Sequence, residues 1–164
     1  MGFFVLIRGP LGVGKTTICE RLAEVLPAEH FEVEALLDRL GINELVDGEV
    51  PAESFMAAYD SVMPAARRRM EGGGVVVFEG CFYQRKVIDH IVEALPFPHQ
   101  AFTLKAPLEI CARRDKGRAR PFGEQAAREV HALVGRFHYG TAIDATSTVD
   151  ETLAEILSHL TEHS

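Results

Sequence analysis

Residues 9–16 read Gly9-Pro10-Leu11-Gly12-Val13-Gly14-Lys15-Thr16, a complete G-x-x-x-x-G-K-T pattern, the Walker A loop. These residue types at this spacing hold phosphate oxygens. A triphosphate needs many hydrogen-bond donors on a concave surface, and successive backbone N–H groups of a glycine-rich turn form such a nest. Gly12 and Gly14 permit backbone angles that side chains forbid and let the chain come close to the phosphates. Pro10 has no N–H, so the nest is built from Leu11 onward. Lys15 is expected to reach the β- and γ-phosphates, and Thr16 to offer its hydroxyl to Mg2+. Gly9, Leu11, Gly12, Val13, Gly14, Lys15, Thr16 and Thr17 are therefore the expected nucleotide-binding residues.

A magnesium–triphosphate site also needs a carboxylate. Val75-Val76-Val77-Phe78-Glu79 supplies four apolar residues and then an acid at a strand end. Glu79 is expected to join Thr16 as a metal residue, acting through water because Mg2+ keeps much of its hydration shell. Arg113, Arg114, Lys116, Arg118 and Arg120 crowd into eight residues with one acid, Asp115. In phosphoryl transfer, charge spreads over the oxygens of the moving group, and an arginine there is worth about 10³–10⁵ in rate.

Such a loop needs a strand before it and a helix after it. Phe3–Ile7 is an uninterrupted apolar run, as in a central parallel strand buried on both faces. Ile18, Leu22, Val25 and Leu26 form one helical stripe, and Pro27 ends it. Further strands are predicted at Phe31–Leu36, Val75–Phe78, Phe102–Leu104 and Ala142–Ala145. Phe55 to Met70 follows helical spacing, with Pro64 kinking or restarting the helix. Val87 to Leu95 is the next helical face. Pro107 suits the first residue of a short helix, and another helix runs from about Gly123. Thr148 and Glu151 have capping-box spacing before a last amphipathic helix. Strands alternating with helices give an α/β fold: a five-stranded parallel sheet with helices on both faces, three layers in all. Ligands bind such sheets beyond the carboxyl ends of the strands.

Composition narrows the classes. At 164 residues, without repeat, linker or low-complexity tract, the chain reads as one domain, 1–164. A hydrophobic share of 47% and a charged share of 25% suit an ordinary globular protein. No apolar stretch has the length of a membrane span, and the start lacks the pattern of a signal peptide, so a cytoplasmic location is expected. Cys19, Cys81 and Cys111 are widely spaced and imply neither a zinc knuckle nor disulfides. The net charge of −7 disfavours nucleic acid and acidic membranes as partners.

The loop, written Gly-x-x-Gly-x-Gly-Lys-Thr-Thr, resembles that of small P-loop kinases of the nucleoside and nucleotide kinase group. Ala106-Pro107-Leu108-Glu109-Ile110-Cys111-Ala112-Arg113-Arg114-Asp115-Lys116-Gly117 resembles the lid entry of adenylyl-sulfate kinases and of the AAA-33 or zeta-toxin-like small-molecule kinases. The resemblance implies a P-loop NTPase fold with the loop strand in the middle of the sheet. It implies a short arginine-rich lid at about 113–123 and phosphoryl transfer from ATP, with Mg2+, to a small acceptor. On it, Arg114 aligns with the arginine ending the lid's first helix, and Arg118 and Arg120 fall on the lid. With Lys15, Arg114 and Arg118 are the expected catalytic cations, and Arg120 an ATP contact. The family pattern also expects an acid after the second strand to serve the acceptor hydroxyl; Asp38 is the first candidate and Glu34 the second. Arg85 lies where nucleotide kinases keep an arginine for an acceptor phosphate, but their Asp-Gly-Phe-Pro-Arg run is absent.

The leading expectation is an ATP-dependent small-molecule kinase, monomer or homodimer. The alternatives are a nucleotide switch acting on a protein partner and a polynucleotide 5′-hydroxyl kinase. The guanine-reading Asn-Lys-x-Asp motif is missing, and Asn43, the only asparagine, is followed by Glu44.

Overall fold

The computed structural model describes residues 2–162. Along it run β1 (Phe3–Arg8), α1 (Lys15–Val25), β2 (Ala28–Glu32), α2 (Val33–Leu40), α3 (Ala52–Asp60), α4 (Met63–Glu71) and β3 (Val75–Gly80). There follow α5 (Arg85–Ala94), β4 (His99–Lys105), α6 (Leu108–Lys116), α7 (Glu124–Val134), β5 (Thr141–Asp144) and α8 (Val149–Glu162). The strands form one five-stranded sheet in the order β2-β3-β1-β4-β5. All four neighbouring pairs are parallel.

Side chains alternate across each strand, so the apolar run of β1 serves two cores. Phe4 and Leu6, with Val76 and Phe78 of β3, face α2, α3, α4 and α5, meeting Leu36, Tyr59, Met70 and Ile91. Val5, Ile7 and Val77 face α1 and α8, meeting Ile18, Leu22 and Ile156. Each such buried aliphatic or aromatic side chain contributes about 1.5–3 kcal/mol of transfer free energy. Three layers follow from β1 being apolar on both faces.

The pairing of β1 with β3 positions the site. Ile7 lies opposite Glu79 and Arg8 opposite Gly80. The loop leaving β1 at Gly9 therefore starts beside the acid at the end of β3.

The second strand differs from expectation. Residues 33–36, expected in a strand, lie in α2, and the strand is the more polar Ala28–Glu32. Val33, Leu36 and Leu37 are all buried on one helical face, which the i, i+3, i+4 spacing favours. Ala28–Glu32 is extended because β3 offers a free edge for pairing, and its residues are only half-buried there. Pro64 restarts rather than kinks: α3 stops at Asp60 and α4 opens at Met63, with Pro64 in its first turn, where a missing N–H is harmless. Pro107 stands one residue before α6, as its N-cap. Thr148 caps the last helix, accepting from the Glu151 N–H at 3.1 Å.

Arg8, at the end of β1, is 2% exposed. Its Nε donates to the Phe82 carbonyl at 3.0 Å, Nη1 to Thr103 Oγ1 at 3.2 Å, and Nη2 to the Val134 carbonyl at 2.7 Å. The guanidinium also lies 4.3 Å from the Phe137 ring centre. Burial pushes it down to about 10, so it remains charged at neutral pH. One side chain thus ties β1 to the segment after β3, to β4 and to the end of α7. Phe82, which it holds, has the left-handed φ of 48° and stacks on Tyr59 at 5.5 Å. Replacing Arg8 by Ala leaves buried carbonyls unpaired and opens a cavity. Arg8→Ala is expected to lower stability by about 2–4 kcal/mol in urea unfolding. Arg8→Lys should recover less than half of that loss, because an ammonium does not span the same acceptors.

Candidate active site

The loop from Gly9 to Gly14 turns the chain from β1 into α1. Gly12 has φ +80°, and a Cβ there would stand 2.0 Å from the Cys111 carbonyl oxygen. The loop is thereby pressed against α6. Gly14 has φ +104°, and a Cβ there would meet nothing within 4 Å, so a hollow lies above it. Gly14 is also the N-cap of α1, which has no side-chain cap and no acid in its first turn. The first amides of α1 thus lack an internal acceptor and suit an anion. Lys15 is buried, and its ammonium donates to the Pro10 carbonyl at 2.8 Å. Burial disfavours that ammonium, but Cys81, Glu34 and Glu79 around it more than offset this and hold it above its ordinary value.

Glu79 is 3% exposed and fully engaged. Thr16 Oγ1 donates to its Oε2 at 2.7 Å, and His30 Nε2 lies 2.8 Å from its Oε1. Burial alone would raise this carboxyl. The hydrogen bonds from His30 and Thr16 and the charge of Lys15 prevail, so it is held below the usual range. A hydroxyl and a carboxylate in contact are hard oxygen donors, and this set fits Mg2+.

A cleft of about 520 Å³ opens over the loop. Glu32, Glu34 and Glu79 line one side, and Arg114, Arg118 and Ser147 the other. Arg114 Nη1 donates to the Val13 carbonyl at 3.0 Å and to the Ala145 carbonyl at 2.8 Å, joining the loop to the chain after β5. Arg118 is exposed, its guanidinium 4.6 Å from the Phe122 ring. Between them, Asp115 is 1% exposed and accepts from the Phe122 N–H at 3.1 Å and the Gly123 N–H at 3.0 Å. This carboxylate closes the 117–123 segment on itself. Arg120 is exposed and does not line the cleft.

Of the acids expected on the acceptor side, the fold separates the two candidates. Asp38 is exposed, accepts from Asn43 Nδ2 at 2.6 Å and does not line the cleft. Glu34, one turn earlier in α2, does. Burial raises the Glu34 carboxyl, and Glu79 and Asp38 add to this against Lys15 and Arg118. Glu32 is raised by burial and then by Glu79 and Glu34. Arg85 is exposed outside the cleft, 5.9 Å and 5.5 Å from the ring centres of Phe137 and Tyr139. Sequence reasoning missed His30, Glu32 and Asp115. Alternation through His30-x-Glu32 in a polar strand was the available signal for the first two. Asp115 gives none, because its acceptors come from a turn that only the tertiary fold closes.

The chain belongs to the AAA_33 family: the model of this AAA domain matches residues 4–138. A probable adenylyl-sulfate kinase of Archaeoglobus fulgidus is 28% identical over 124 residues, 70% of this chain and 74% of that one. The fold is that of the P-loop kinases. A gluconokinase from Sinorhizobium meliloti superposes with a TM-score of 0.74 at 19% identity, covering 96% of this chain and 91% of that one. The tunicamycin resistance protein of Deinococcus radiodurans superposes with a TM-score of 0.70 at 23% identity, covering 98% and 96%. Among the described residues no helix is long and apolar enough to cross a membrane.

The acid cluster has a measurable consequence for stability. Glu32 and Glu34 have folded values raised above the ordinary 4.5, so below 4.5 both states bind the proton and no destabilisation arises. As pH rises through the folded values, the unfolded state loses its protons more easily, and stability falls. Glu34→Gln is therefore expected to raise the melting temperature of the ligand-free protein at pH 7. The gain should vanish below about pH 4, which calorimetry across that range measures.

Proposed function

We propose that this chain is an ATP-dependent phosphotransferase that transfers the γ-phosphoryl group to a hydroxyl of a small molecule. One observation carries the reading. A half-buried acid, Glu34, opens into the same cleft as the uncapped amides of α1, the Lys15 ammonium and the Thr16–Glu79 contact. A nucleotide switch needs the phosphate half alone; a kinase also needs an acceptor half. The names of the similar proteins, with adenylyl sulfate, gluconate and tunicamycin among them, support transfer to small molecules and leave the acceptor open.

In this reading the loop amides and Lys15 hold the β- and γ-phosphate oxygens. Thr16 and Glu79 hold Mg2+, which when bound neutralises phosphate charge. Thr17 and the chain from Gly9 to Gly14 complete the nucleotide contacts. Arg114 and Arg118 face the phosphates from the opposite wall, and Arg120 stays at the outer edge of the lid. Glu34 takes the acceptor's hydroxyl proton, the role to which the resemblance first pointed Asp38. Its raised carboxyl is the better base for a hydroxyl, since a base works best with an affinity close to the working pH. Closure of the 113–123 segment excludes water and favours the acceptor over hydrolysis.

The test is transfer of labelled phosphate from ATP to pooled sugars, nucleosides and other small hydroxyl compounds. Labelled organic product is expected; ATP consumed with inorganic phosphate as the only product would overturn the reading. Lys15→Ala should reduce transfer at least 10³-fold while the protein remains folded by circular dichroism, with some loss of melting temperature. Glu34→Gln should lower kcat about 10²–10⁴-fold while nucleotide affinity stays within about threefold. Asp38→Asn should leave both within about threefold, since the side chain lies outside the cleft.

A further inference from the structure

Three elements converge behind the Thr16–Glu79 contact. Cys19 lies three residues after Thr16 on α1 and shares its helical face. His30 on β2 stands opposite Val77 of β3, two residues before Glu79 and on the same face of the sheet. The Cys19 thiol, the His30 imidazole and the Glu79 carboxylate each offer one ligand atom, and these atoms all lie within 4.8 Å of one another. Cys19 is fully buried, and His30 is 18% exposed at its side chain.

From this cluster we infer that Cys19, His30 and Glu79 form a binding site for a thiophilic divalent cation, Zn2+ in preference to Mg2+. Zn2+ takes thiolate, imidazole and carboxylate at about 2.0–2.3 Å, and tetrahedral angles then set the ligand atoms about 3.5 Å apart. Reaching that spacing needs the imidazole and carboxylate, now 2.8 Å apart, to part slightly and the thiol to draw in. Thiolate and imidazole suit Zn2+, whereas Mg2+ requires an octahedral shell of oxygens. One thiolate and one carboxylate balance the two charges of the ion, so the neutral assembly tolerates burial. Binding displaces the thiol proton to solvent. Three protein ligands leave a fourth position for water, and of the three only Glu79 also lines the cleft. A bound Zn2+ would then compete with Mg2+ for one carboxylate. That consequence rests on the proposed nucleotide site, but the binding of Zn2+ does not.

The test uses the full chain without nucleotide. Zn2+ is titrated calorimetrically, and Co2+ is added separately as a spectroscopic probe of thiolate ligation. One equivalent of Zn2+ is expected to bind at least 100-fold more tightly than Mg2+, with a thiolate-to-cobalt charge-transfer band. Cys19→Ala should abolish the band and weaken Zn2+ at least tenfold. His30→Gln, which keeps an N–H donor for Glu79 and whose folding is checked by circular dichroism, should weaken Zn2+ at least tenfold as well. Cys111→Ala should keep both the band and the affinity, because that thiol lies against the Ala106 carbonyl at 3.7 Å, outside the trio. Failure of the wild type to bind one equivalent would overturn the site, as would unchanged affinity in His30→Gln. An undiminished cobalt band in folded Cys19→Ala would do the same. Each of these results is independent of whether phosphate is transferred.

Discussion

Glu79 is 3% exposed at the carboxyl end of β3, where an unpaired carboxylate would be strongly destabilising. Thr16 and His30 each hydrogen-bond one of its oxygens, and Lys15 adds a positive charge nearby. These partners come from α1 and β2, so one charge joins the helix after the loop, the central part of the sheet and its edge strand. The rest of the site is arranged around that charge. The loop reaches it because β1 and β3 pair in a register that sets Ile7 beside Glu79. The Tyr59 hydroxyl donates to the Glu79 carbonyl at 3.1 Å and fixes the backbone from the other face of the sheet.

The two walls of the cleft carry opposite charge for different physical reasons. On one wall, three carboxylates at the ends of β2 and β3 and the start of α2 crowd together, and two of them are held above their usual range. Such a cluster is a strain that the ligand-free protein bears. On the other wall, the arginines are held by neutral groups: Arg114 by two carbonyls and Arg118 by an aromatic ring. Arg118 also feels the carboxylates across the cleft, since its charge partly offsets the rise of Glu32 and Glu34. Buried Asp115 keeps the 117–123 segment compact by binding backbone amides rather than the arginines beside it.

The two acids of α2 show how one turn of helix decides which side chain reaches the cleft. Glu34 and Asp38 lie on the same short helix four residues apart. The Val33, Leu36 and Leu37 face packs on the sheet, and this fixes the rotation of α2. Glu34, at the amino end, opens beside the loop, while Asp38, one turn farther out, meets Asn43 and solvent. The sequence puts Asp38 first and Glu34 second, and an expected strand through residues 31–36 hides the helix that separates them. Similarly, Arg85, which the resemblance to nucleotide kinases set near an acceptor phosphate, packs near two aromatic rings outside the cleft.

By itself the sequence determined the phosphate loop, the central strand and most of the helices, because each rests on local rules. Glycine spacing fixes backbone geometry, unbroken apolar runs require burial on both faces, and helical periods need one side covered. Only the tertiary structure decided the polar edge strand, the partners of Glu79, the closure made by Asp115 and the placing of Glu34, not Asp38, on the cleft. Those depend on groups far apart in the chain: Thr16 and His30 meet Glu79 across 63 and 49 residues. No local propensity encodes such meetings, since they arise only when strand register and helix rotation bring buried charges to the partners that make burial tolerable.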